Sequence, residues 1–202
     1  MPLPTANRQQ PTVVTLARTV KSQAVTLAAP LGVSWLTLGA NTVLGGALSR
    51  FGVVPRTVDG LWGILFAPFL HGSVEHLAAN SISLLILGWL VLVFVGRRQF
   101  WWVSVAAALG SGLCAWLIGA PGSVHIGASG VIFGYLGYLM LSGWFARRFW
   151  PFIASIGVTV MWGGMVFGVM PGQLGISWQS HLGGLLGGIW AARRLHARSK
   201  SG

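Results

Sequence analysis

Six long apolar runs, separated by short stretches that hold nearly all the charge, are what most restricts the fold of this 202-residue chain. They fall at residues 31–48, 77–95, 100–118, 128–145, 152–170 and 177–192. A helix rises about 1.5 Å per residue and the hydrocarbon layer is about 30 Å thick, so each run predicts a membrane crossing. The last is the weakest, because Gln179, Ser180 and His181 stand at its start. Helices are expected rather than a barrel: lipid offers no partner to an open backbone, and the runs lack short alternation. Only 7% of the residues are charged, against about a quarter in a soluble domain. That excludes a water-soluble enzyme, a disordered tail or a secreted disulfide scaffold, and the single Cys114 has no intrachain partner.

Thirteen Lys and Arg face two acids, Asp59 and Glu75, for a net charge of +11. Nucleic-acid binding needs a solvated basic face with interleaved aromatics, whereas these basic residues sit between apolar runs, so no nucleic-acid partner is expected. Positive residues mark the cytoplasmic side of short loops. With both termini inside, Arg8, Arg18, Lys21, Arg97, Arg98, Arg147, Arg148, Arg193, Arg194, Arg198 and Lys200 all lie on that side. Arg50 and Arg56 remain outside in the first loop with both acids, and the segments 119–127 and 171–174 carry no formal charge. The expected architecture is an all-α membrane protein, a six-transmembrane-helix bundle at 31–195 with both termini cytoplasmic. A polar basic leader occupies 1–30 and a basic tail 196–202. The leader lacks the short apolar region and small-residue site of a cleaved signal. Residues 12–29 read equally as a basic helix on the membrane surface or as an unstructured leader.

Polar residues at membrane depth cost free energy unless they have a partner or a task. The second, fourth and sixth runs, which cross from outside to inside, each begin with a polar cluster. The second opens with His71, Glu75, His76 and Asn80; the last two are four apart and share a helix face. Taken alone, they read as residues that join helices by hydrogen bonds, worth about 0.6–2 kcal/mol each. The fourth opens with Gly127, Ala128, Ser129 and Gly130. A serine between glycines at a helix start leaves room for a substrate backbone, beside N–H groups suited to an oxyanion. Alone, one such string among 30 glycines reads as ordinary packing. The sixth opens with Ser180 and His181, then LGGLLGG.

Gly130 and Gly134 form a small-residue stripe on the fourth run, and Gly184 and Gly188 another on the sixth. Aligning the stripes leaves Ser129 and His181 about 3 Å apart in depth, within reach of the hydrogen bond that an activated serine requires. With no acid after Glu75, the arrangement is a dyad rather than a triad.

Other chemistries fit less well. The string from His71 to His76 is one residue longer than the H-x-x-E-H zinc signature; if both lay on one helix, their rings would diverge by about 140°. No metal is expected. A transporter places ionisable groups near mid-membrane, and these runs hold none there.

The three clusters, HGSVEHLAAN, GASGVIFG and SHLGGLLGG, stand in one order at the outer ends of alternate runs, and over residues 61–194 the chain resembles the rhomboid intramembrane serine proteases. The resemblance implies Ser129 as nucleophile and His181 as general base. It implies an oxyanion site from the Ser129 N–H with His76 and Asn80, flanked by Gly127 and Gly130, with His71 as support. Phe133 matches an aromatic packed on the catalytic imidazole, which is Tyr in better-known members. Trp62-Gly63 stands where Trp-Arg is common, which bears on anchoring of the first loop, and Ser180 replaces a small residue. The implied partners are transmembrane protein substrates within the lipid bilayer, with no cofactor. The implied setting is a bacterial plasma membrane with the site open to its outer face. The segment 171–179, with Leu174 and Ile176 as apolar plugs, and the fifth run are expected to act as the gate.

Overall fold

The computed structural model describes residues 13–173 and 175–198, and within them the chain is an all-helical membrane protein. Helix α1 (Val13–Val43) leads into a 3-10 turn at Ala47–Phe51 and a loop holding a second at Asp59–Leu61. A short α2 (Gly63–Phe66) and a 3-10 turn at Ala67–Phe69 precede α3 (Val74–Ile118). Then come α4 (Ser129–Ala146), α5 (Phe149–Trp162) with a 3-10 extension at Gly163–Val169, and α6 (Trp178–Arg198). The extended backbone contributes only an isolated antiparallel bridge between Val53 and His125 among the described residues.

Four segments are long and apolar enough to cross a membrane: Ala17–Val43, Val74–Ile118, Ser129–Ala146 and Phe149–Val169. The difference from the expected six has two causes. First, the runs at 77–95 and 100–118 belong to one 45-residue element whose direction changes at Gly96, with φ 74° and ψ 170°. That positive φ is readily available only to glycine. In a straight helix, Gly88 and Phe100 would stand about 18 Å apart; here a Cβ on Gly88 would lie 3.7 Å from the Phe100 ring. The two arms of α3 therefore lie against each other. Second, α6 is not among the four. It opens on polar residues and ends on arginines, and it packs chiefly on α4 and α3, so much of its surface meets protein rather than lipid.

The first helix also departs from the expected 31–48. It begins by Val13, passes through Pro30 without interruption and stops at Val43. Residues from 13 onward in the expected leader are thus helical and continuous with the membrane segment. Gly45 and Gly46, at φ 60° and 88°, end the helix. The buried Asn41 closes it, accepting from the Leu48 N–H at 2.8 Å and donating to Ser49 Oγ at 3.1 Å.

The core lies between both arms of α3, α4 and α6, around Leu87, Val91, Phe100, Val103, Leu136 and Tyr138. Glycines bring α6 into it on two faces. A Cβ on Gly184 would overlap the Gly130 carbonyl, and one on Gly188 the Gly134 carbonyl, both on α4. Gly183 and Gly187 meet the backbone of α3 at Gly110 and Ala106 in the same way. Side chains there would hold the backbones apart.

Candidate active site

Ser129 is the first residue of α4 and His181 lies in the first turn of α6. The registered glycine pairs set the two helices so that His181 Nε2 stands 2.8 Å from Ser129 Oγ. The other ring nitrogen, Nδ1, donates to the Gly168 carbonyl at 2.9 Å. That bond puts the ring proton on Nδ1 and leaves the Nε2 lone pair facing the serine hydroxyl. Phe133 lies one turn below Ser129 and stacks on the imidazole, with centroids 4.0 Å apart and planes 9° from parallel. His181 is thus held at both nitrogens and over one face.

The turn before Ser129 requires glycine at 127, where φ is 120°. Gly127 donates to the Ala67 carbonyl at 2.8 Å. A Cβ there would lie 2.9 Å from His76 Cε1 and 3.6 Å from Asn80 Nδ2, so those two side chains pack directly on this turn. Gly130 abuts Ser111 and the Ser180 carbonyl. The first backbone N–H groups of α4 have no intrahelical acceptor. The site therefore joins an oriented serine–histidine pair to a cluster of N–H donors.

His71 sits behind this cluster, 1% exposed. Its Nε2 accepts from Asn80 Nδ2 at 3.1 Å and from the Ala128 N–H at 3.3 Å, so the neutral ring carries its proton on Nδ1. Burial, then the nearby His76 ring, pulls its pKa down from 6.5 to about 4, with the Phe69 carbonyl opposing. The rings of His71 and His76 lie edge to face at 5.1 Å. The 140° divergence does not hold, because His71 precedes the start of α3 at Val74 and is not on the same helix. Among the described residues, no three His, Cys, Asp or Glu side chains cluster in a way that holds a metal ion.

Sequence reasoning missed three features. The Gly168 carbonyl that orients His181 belongs to the 3-10 extension of α5, and a backbone group has no residue signature. His125, which the sequence motifs do not single out, is 8% exposed and bonded to Ser123 and Ser177. The first loop is held without the expected arginine at 63. A Cβ on Gly63 would overlap the Gly52 carbonyl. Anchoring comes instead from the Val53–His125 bridge, Trp116 Nε1 on the Thr57 carbonyl at 2.8 Å, and an Arg56 guanidinium N–H on the Leu117 carbonyl at 3.0 Å. Of the two expected plugs, Ile176 is 39% exposed and Leu174 lies outside the described residues.

Comparison with known proteins adds a second line of observation. The family model described as the Rhomboid domain matches residues 58–198. An uncharacterized protein of Mycobacterium tuberculosis is 44% identical over 161 residues, covering 76% of this chain and 67% of its own. The rhomboid protease GluP of Bacillus subtilis is 31% identical over 141 residues, covering 68% of this chain and 27% of GluP. Rhomboid-like protease 5 of Toxoplasma gondii is 32% identical over 143 residues, covering 66% and 16% respectively.

Proposed function

This chain belongs to the rhomboid family, and we propose that it is an intramembrane serine protease that hydrolyses peptide bonds in or near transmembrane segments of membrane proteins. The observation that carries this reading is the 2.8 Å contact between Ser129 Oγ and His181 Nε2, with Nδ1 engaged by Gly168. In the reaction, His181 Nε2 takes the Oγ proton as the oxygen attacks the substrate carbonyl carbon. The imidazolium then protonates the leaving amine nitrogen, and an acyl group remains on Ser129. Water, deprotonated by the same nitrogen, releases the acid. The oxyanion is met by the Ser129 N–H, the His76 ring and the Asn80 N–H not turned to His71.

A peptide carbonyl takes the orienting place that a carboxylate holds in a triad. It fixes the tautomer but brings no full negative charge to the imidazolium, so slow turnover is expected. Phe133 holds the ring plane, and its missing hydroxyl leaves that support intact.

The proposal extends to topology. Two arms of α3, with α1, α4, α5 and α6, make six crossings, the basic termini cytoplasmic and the site open to the outer face. The substrate is a membrane protein whose helix unwinds locally, because a backbone already hydrogen-bonded cannot present its carbonyl. The gate is α5 with its 3-10 extension and the following loop; only 11% of its most apolar stretch is buried in the protein.

Fluorophosphonate labelling of the detergent-purified protein tests the chemistry without knowledge of a substrate. The parent is expected to label and Ser129→Ala and His181→Ala to remain unlabelled. A folded parent that does not label overturns the protease assignment in favour of a scaffold that binds client helices without cutting them.

A further inference from the structure

His125 ties together three segments that meet around the serine–histidine pair. Its backbone pairs with Val53 of the first loop, each N–H donating to the other's carbonyl at 2.9 Å. Its ring, 8% exposed, bonds on one side to Ser123 Oγ at 2.9 Å and on the other to Ser177 Oγ. His125 is four residues before Ser129, and Ser177 is four residues before His181. One side-chain contact thus joins the loop that carries the serine to the start of the helix that carries the histidine.

The ring is held from both sides: Ser123 Oγ, which donates to the Ala120 carbonyl at 2.6 Å, lies at Nε2, and Ser177 Oγ lies at Nδ1. Burial holds the pKa of this ring below its ordinary value, which keeps it neutral at pH 7. Ser177 Oγ donates to Ser180 Oγ at 2.7 Å and accepts from the Ser180 N–H at 3.3 Å. Ser177 therefore caps α6, in the manner of a serine at a helix N-terminus. The His181 N–H returns to the Ser177 carbonyl at 3.1 Å. Any shift of this cap moves His181 with it.

We propose that His125 is a positioning residue: through Ser177 it clamps the N-terminus of α6 onto the loop before Ser129 and so sets the distance between Ser129 and His181. The inference rests on the protease reading and adds a residue to it. His125 touches neither Ser129 nor His181, and its effect is geometric. A misplacement of about 1 Å in a reacting pair costs up to about a hundredfold in rate.

The experiment measures fluorophosphonate labelling kinetics on the full chain in detergent, with thermal unfolding of each variant alongside. His125→Ala is expected to lower the maximal labelling rate about tenfold or more while leaving the probe concentration at half-maximal rate within about twofold. His125→Asn places an amide near the position of Nδ1 and is expected to recover most of the rate. His125→Gln reaches the Nε2 position instead, contacts Ser123 and is expected to stay slow. If His125→Ala labels like the parent, or if Asn and Gln restore the rate equally, the clamp is overturned. A rate that merely follows thermal stability across the set overturns it as well. An unlabelled parent removes the protease reading itself, and the clamp falls with it; a labelled parent with indifferent His125 variants removes the clamp alone.

Discussion

At the residue scale, the chemistry depends on which imidazoles are neutral. As the proposed base, His181 takes a proton from Ser129 only in its neutral form, so the labelling rate is expected to fall on acidification; a rate that stays constant over the whole acidic range in which the protein remains folded excludes it as the base. His71 contributes a separate acid sensitivity, through stability. Its folded pKa of about 4 lies below the unfolded value, so between the two the unfolded chain binds the extra proton. The stabilisation is complete above about pH 6.5 and is lost progressively toward pH 4, at most about 3 kcal/mol. Urea unfolding in mixed micelles at pH 7 and pH 5 measures it. The parent is expected to weaken on acidification, and His71→Gln, with no titrating ring, to weaken less; equal losses in both contradict the assignment.

At the element scale, α6 is defined by what it lacks. Gly184 and Gly188 let its backbone rest on carbonyl oxygens of α4, where a methyl group has no space. Gly188→Ala is expected to lower stability by about 1–3 kcal/mol and to slow labelling, because the same contact seats His181 against Ser129. Gly39→Ala is the control: on α1 a Cβ would meet nothing within 4 Å, so the change is expected to be neutral or to stabilise by up to about 1 kcal/mol. Unfolding midpoints of the two variants decide, and equal stability rejects close α4–α6 packing. The glycine stripes were legible from their spacing, since four-residue periodicity is local. The 3-10 extension at Gly163–Val169 was not: an apolar run reads alike as α or 3-10, and its geometry follows from docking against His181 and Phe133, where a Cβ on Gly168 would meet both rings.

At the scale of the whole molecule, the acids Asp59 and Glu75 mark one end and the arginines of the Gly96 turn the other. About 20 helical residues separate Glu75 from Arg97, close to a bilayer thickness. In a Cys114→Ala background, Val124→Cys is expected to react with a membrane-impermeant maleimide in intact cells. Gln99→Cys is expected to react only after permeabilisation. The reverse pattern inverts the topology, and reaction of both in intact cells places the Gly96 turn outside and removes the hairpin.

The membrane class, the polar ends of alternate helices and the glycine stripes were carried by sequence alone, because hydropathy, charge and four-residue spacing are properties of neighbouring residues. Tertiary structure decided what depends on distant segments meeting. It placed the Gly168 carbonyl on His181, turned His71 toward Asn80 and Ala128, and bonded His125 to Ser177, 52 residues away. Backbone acceptors carry no residue identity, and a histidine's partner is chosen by the packing of helices rather than by its neighbours in the chain.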